Sequence, residues 1–138
     1  MIYADTSLLL PIYVPEERSE EANGLVKGET ALWISDLTVA EFLVGLARKV
    51  KLGSLPLVRA EQIRTTFEQH ISDGFLKRVP TTGLHSEAAG ELALRSPVML
   101  RTLDAIHLAV AVELEATIAT LDHRLADAGR GLGYPVLP

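Results

Sequence analysis

Three short apolar runs, Met1–Ala4, Ala31–Ile34 and Thr117–Leu121, each give way to an acidic or hydroxyl-bearing residue and then to a stretch with helical character. Runs of this length, closed by Asp, Ser or Thr, predict buried strands followed by turns or helix caps. Strands that alternate with helices along one chain assemble by right-handed crossovers into a parallel sheet covered on both faces. The alternation therefore predicts an α/β fold with a mostly parallel central sheet flanked by helices.

The intervening segments carry the helical signals. Leu8–Leu10 begins a short helix, and Pro15-Glu16-Glu17 predicts the first turn of a surface helix stopped at Gly24 or Gly28. Leu43, Leu46, Ala47 and Val50 lie at helical spacing within 37–51, which Gly53 ends, and Val58, Ile63, Phe67 and Ile71 do so within 55–72. Asp73-Gly74 turns the chain into a strand over 75–79. A helix over 86–94 closes at Ser96-Pro97, and Thr102 opens the very apolar helix 105–114. A short helix over 124–128 meets the turn-forming Gly129, Gly131 and Gly133, and Val136-Leu137 between two prolines reads as a weak edge strand. With no repeat or linker, 138 residues are expected to form one domain over 1–138.

Composition narrows the possible functions. A chain with 48% hydrophobic and 22% charged residues can bury roughly two thirds of its unfolded surface, which argues against intrinsic disorder. The absence of Cys removes disulfide scaffolds, thiolate zinc sites and Cys nucleophiles. The start Met1-Ile2-Tyr3-Ala4-Asp5 lacks the basic opening of a secretory signal, and Pro11, His107, Glu113 and Glu115 interrupt the most apolar stretches. No membrane span is expected, and a cytoplasmic location is. A net charge of −5 argues against general nucleic-acid coating and leaves a local basic groove open.

Four acids sit where parallel sheets collect ligands, beyond the carboxyl ends of strands: Asp5, Glu41, Asp104 and Asp122. Each has a local structural explanation. Asp5 and Asp122 can cap the helices that follow them, Thr38 and Glu41 match a capping box, and Asp104 suits a helix first turn after a Thr102 cap. Asp104, however, is flanked by Leu103, Ala105 and Ile106, and an acid near the core needs donors or a cation to offset desolvation. Mg²⁺ and Mn²⁺ prefer carboxylate and water oxygens, which suits a chain without thiols. Such an ion lowers the pKa of bound water and stabilises charge on a leaving oxygen, the chemistry of phosphodiester hydrolysis.

Asp5-Thr6-Ser7, Glu41, Leu103-Asp104-Ala105-Ile106-His107-Leu108-Ala109, Thr120-Leu121-Asp122 and the closing Gly131-Leu132-Gly133-Tyr134-Pro135-Val136 together resemble the motifs of PIN-domain ribonucleases, particularly VapC-type toxins, along essentially the whole chain. The resemblance implies a three-layer fold and a Mg²⁺- or Mn²⁺-dependent endoribonuclease whose acidic site is Asp5, Glu41, Asp104 and Asp122. It also implies Ser7, and after it Thr6, as residues supporting that site, RNA as substrate, an inhibiting cognate antitoxin and a homodimer.

Setting the four acids aside changes the formal charge from −5 to −1, compatible with RNA binding. Arg48 and Arg101 could meet phosphates, although Arg48, Lys49 and Lys51 also suit a helix C-terminus. His107 reads first as a packed, hydrogen-bonded histidine, and His123 as the better RNA contact. Trp33 and Tyr3 are expected in the core, with Tyr13 and Phe42 facing a partner helix. Two rival readings remain. A phosphoacceptor receiver domain would carry paired acids after its first strand and a late Lys, whereas Asp5 stands alone and no Lys follows Lys77. A non-catalytic interaction module would bind a partner helix in an apolar groove near 8–14.

Overall fold

In a computed structural model, which describes residues 1–138, the apolar runs form five strands: β1 (Ile2–Ala4), β2 (Leu32–Ser35), β3 (Leu76–Val79), β4 (Thr117–Ala119) and β5 (Val136–Leu137). Their order is β3-β2-β1-β4-β5, and every neighbouring pair is parallel. Seven helices make the connections: α1 (Thr6–Tyr13), α2 (Ser19–Leu25), α3 (Asp36–Lys51), α4 (Leu57–Ser72), α5 (Gly83–Arg95), α6 (Thr102–Glu113) and α7 (His123–Gly131). The α/β reading holds, and the sheet is parallel throughout. No helix is long and apolar enough to cross a membrane.

The alternating faces of the strands divide the core. Ile2 and Ala4 of β1 pack with Leu8, Leu9, Phe42 and Phe67 under α1–α4, while Tyr3 points the other way, toward Leu108 of α6 and Leu125 of α7. Phe42 and Phe67 stack with ring centroids 4.0 Å apart, and Tyr13 meets both edge-on. Phe42 and Tyr13 therefore face α4 of this same chain. Leu8, Leu9, Pro11 and Val14 are buried by the same packing, whereas the half-buried Ile12 and Tyr13 line a cavity of about 260 Å³ with Ile63 and Phe75. Tyr3 is in the core as expected, whereas Trp33 is half-buried beneath the Lys77 ammonium.

Several element boundaries differ from the sequence reading for identifiable reasons. Pro15–Glu17 precede α2 rather than start it: Ser19 Oγ accepts from the Glu16 amide at 2.9 Å and donates to the Pro11 carbonyl at 2.6 Å, tying that segment into a turn. Pro56, extended at φ −61° and ψ 142°, is the N-cap of α4, and Val58 faces solvent. At α5, His85 Nδ1 accepts from the Thr82 amide at 2.9 Å and starts the helix three residues before Ser86. Gly53 does end α3, with φ +77°. Gly129 does not end α7; a Cβ there would lie 2.7 Å from Val136 Cγ2, so the glycine admits β5 against the helix.

The β1/β4 pair is the topological switch point, since the chain moves outward from β1 through β2 to β3 and then returns to the opposite side of β1. Its register pairs Ala4 with Ala119, which sets Asp5 beside Thr120. Phe67→Ala is expected to destabilise the fold by about 3–5 kcal/mol, the usual cost of removing a buried aromatic ring, read as a lower urea midpoint.

Candidate active site

Asp5 leaves β1 and caps α1, accepting from the Leu8 amide at 3.1 Å. Its capping role and its place in the site coincide. Ser7 Oγ lies 2.8 Å from Oδ1 and 3.0 Å from Oδ2, and Thr120 Oγ1 donates to Oδ2 at 2.8 Å. Ser7 Oγ also accepts from the Leu121 amide at 2.8 Å, which ties the end of β4 to the start of α1. The Asp5 carboxyl is 4% exposed. Burial pushes its pKa up against the opposing effects of the His107 charge and the Thr120, Ser7 and Leu8 hydrogen bonds.

Glu41 reaches the same place from α3. The helix start is a capping box formed by Ser35 and Thr38, not by Thr38 and Glu41. Glu41 is thereby released to project across the site, where its Oε2 accepts from Thr6 Oγ1 at 2.6 Å and pairs with His107 Nε2 at 2.7 Å. Burial raises the Glu41 pKa, but the hydrogen bonds from His107 and Thr6, with the charges of His107 and Arg101, outweigh it and leave the group below its usual range.

The third corner belongs to Arg101. It is the N-cap of α6 and makes no side-chain cap, while Thr102 lies inside the helix rather than capping it. Its Nε donates to Asp104 Oδ2 at 2.7 Å, and its Nη2 to Asp122 Oδ2 at 2.5 Å. Asp122 Oδ1 accepts from the Arg124 and Leu125 amides at 2.8 and 3.2 Å, so the expected cap of α7 is present and leaves Oδ2 for other partners. Asp104 is buried on an otherwise apolar helix, and the guanidinium offsets its desolvation.

Asp5, Thr6, Ser7, Glu41, Arg48, Arg101, Asp104, His107 and Asp122 line one open cavity of about 570 Å³. His123 lines a neighbouring cavity of about 700 Å³ with Arg124, and Arg101 and Asp122 border both. Tertiary folding thus brings the four acids together and separates Arg48 from His123. His107 is indeed packed and hydrogen-bonded, yet it belongs to the site, and its position one turn after Asp104 was the available signal. Tyr3 and Arg124 carried no comparable sequence signal, and Thr120 was marked only by its place in Thr120-Leu121-Asp122. Asp127 is exposed on α7.

The donor set is carboxylate and hydroxyl oxygen, suited to a hard divalent cation. Asp104 and Asp122 already converge on one positive charge, that of Arg101. No three His, Asp or Glu side chains are arranged around one point as metal ligands, because each carboxylate is directed to a protein donor. Asp5, Glu41, Asp104 and Asp122 are the side chains that could hold such an ion.

An all-parallel α/β domain that gathers acids from four elements at its switch point places them where such folds bind ligands. The PIN domain family profile matches residues 2–131, and the chain belongs to the PIN domain family. It is 30% identical over 139 aligned positions to ribonuclease VapC3 of Pyrobaculum aerophilum, covering 97% of this chain and 98% of that protein. Its fold is similar to that of VapC20 of Mycobacterium tuberculosis, a sarcin-ricin loop cleaving toxin (TM-score 0.72, 19% identity, 94% of this chain and 95% of that one). It is also similar to a chain of a toxin-antitoxin complex from Klebsiella pneumoniae (TM-score 0.69, 17% identity, 100% and 97% coverage). PIN-domain ribonucleases are generally dependent on divalent metal.

Because the folded protein holds the Asp5 proton more tightly than the unfolded chain does, stability falls as pH rises through the window between the two pKa values. In chelator, Asp5→Asn removes that loss. The variant is expected to be more stable than wild type at pH 7, by a wider margin than at pH 4, in urea denaturation at each pH.

Proposed function

We propose that the protein is a metal-dependent endoribonuclease that hydrolyses RNA phosphodiester bonds, the toxin of a toxin–antitoxin pair, acting in the cytoplasm as one PIN domain over residues 1–138. The observation that carries this reading is the single cavity in which Asp5, Glu41, Asp104 and Asp122 meet at the β1/β4 switch point. The likeness to VapC ribonucleases along the whole chain supports it.

In this reading the four acids hold Mg²⁺ or Mn²⁺. The bound ion supplies Lewis acidity toward a phosphate and lowers the pKa of coordinated water. Ser7 and Thr120 orient Asp5, and Thr6 and His107 orient Glu41, so two of the four carboxylates are held before any ligand arrives. Asp104 and Asp122 would complete the set that holds the ion, and the neighbouring Arg101, whose side chain is 59% exposed, would offer its guanidinium to a phosphate of the RNA. Arg48 on one side and Arg124, beside His123, on the other extend the positive lining for the RNA. The antitoxin is a protein partner that blocks this cavity.

Purified protein with Mn²⁺ or Mg²⁺ is expected to cut a pool of structured cellular RNAs, and chelator to stop it. Asp104→Asn should lower the rate by more than about 100-fold, beyond the 10–100-fold typical of groups that only support a ligand, with an unchanged circular dichroism spectrum. Near wild-type cutting by this variant would exclude the assignment. Expression should arrest growth, and co-expression of the antitoxin should restore it.

A further inference from the structure

A second cavity, of about 700 Å³, adjoins the one that gathers the four acids, and Arg101 and Asp122 border both. Its size lies within the roughly 300–1,000 Å³ usual for ligand sites. Two segments wall it: the loop before α6 supplies Val98 and Met99, and α7 supplies His123, Arg124 and Asp127. Contacts outside the cavity fix the loop. Ser96 Oγ donates to the Val98 carbonyl at 2.7 Å, and Pro97 lies so close to Gly131 of α7 that a Cβ there would collide with it. Met99 is 78% exposed on this wall and belongs to neither core cluster. We infer that this cavity is a nucleobase subsite, which takes an unstacked guanine of the RNA next to the phosphodiester presented to the four acids. The inference rests on the nuclease reading of the adjoining cavity.

The chemistry of the lining selects the ligand. The shared border lets one strand pass between the cavities, with Arg101 at the crossing. Unpaired RNA bases are held by stacking on aromatic or guanidinium planes and by hydrogen bonds to their edges. Met99 offers a thioether to a ring face, and the exposed His123 and Arg124 offer planes and donors. No Asn, Gln, Ser or Thr side chain lines the cavity, so the acceptor and donor on the N7/N6 edge of adenine, which suit a side-chain amide, meet no match. Arginine suits O6 and N7 of guanine, and a carboxylate suits its N1–H and N2–H, two donors side by side. Uracil and cytosine each set a single donor group against a carboxylate. Asp127 is the carboxylate available for this. Asp122 gives Oδ1 to amides of α7 and Oδ2 to Arg101, whereas the contact of Asp127 with Arg130 is 3.7 Å long and exposed, and such pairs hold weakly.

The test uses the intact protein labelled with ¹³C-methyl methionine. The chain has two methionines, and Met1 precedes β1, at the opposite end of that strand from the site, so the Met99 methyl is a local reporter. In Mg²⁺, guanosine 5′-monophosphate is expected to shift the Met99 signal and leave that of Met1 in place. Its affinity should exceed those of the adenosine, cytidine and uridine monophosphates by about tenfold, within what one bidentate base contact supplies. Asp127→Asn, at an exposed position, should abolish this preference without weakening adenosine monophosphate binding. Cuts mapped on RNAs with randomised loops should carry guanine beside the cleaved bond in the wild type and lose that bias in the variant. A Met99 signal that no mononucleotide moves, or that all four move equally, would overturn the subsite, and RNA cutting by the same preparation would leave the nuclease reading standing. A guanine-specific shift in protein that cuts no RNA would uphold the base recognition and overturn the nuclease reading.

Discussion

A carboxylate buried where two parallel strands diverge has to be satisfied by whatever the fold can bring to it, and Asp5 organises its surroundings accordingly. The Leu8 amide, Ser7 and Thr120 each bond it, and they come from α1 and from the residue after β4. Those bonds join the start of the chain to a segment more than a hundred residues later. Ser7 also holds the Leu121 amide, which ties the end of β4 to the start of α1. Ionising a group in such a place is costly, and this cost gives the site its appetite for positive charge.

Arg101 answers that need within the chain. It stands between Asp104 and Asp122, two acids that would otherwise repel across the cavity. Its side chain remains largely exposed, so the pairing is screened by water and lies in the range of surface ion pairs, which contribute little individually. Glu41, by contrast, is held by Thr6 and the largely buried His107.

Much of this was legible along the chain. The helix-initiating residues, the strand runs and the oxygen-bearing residues after them are local features, and local features obey propensity and capping rules. Asp5 and Asp122 were readable as caps for that reason, and both do cap. The readings that failed were those in which two local rules competed. Thr38 with Glu41 satisfies the capping-box pattern as well as Ser35 with Thr38 does, and the helix start settled one residue after Ser35. Gly129 has the composition of a stop, but the approach of Val136 decided its use. Neither competition can be resolved without the neighbour that wins it.

By itself the sequence determined the α/β class, the four acids and the thiol-free, oxygen-only chemistry, because these follow from periodicity and residue type. Only the tertiary structure decided that Arg101 pairs two of the acids, that Tyr3 and His107 stand behind a third, and that His123 opens onto a different cavity from Arg48. Those relations span up to 104 residues of chain. They depend on strand register and on which way each side chain leaves the pleat, and a one-residue slip in either would reverse them.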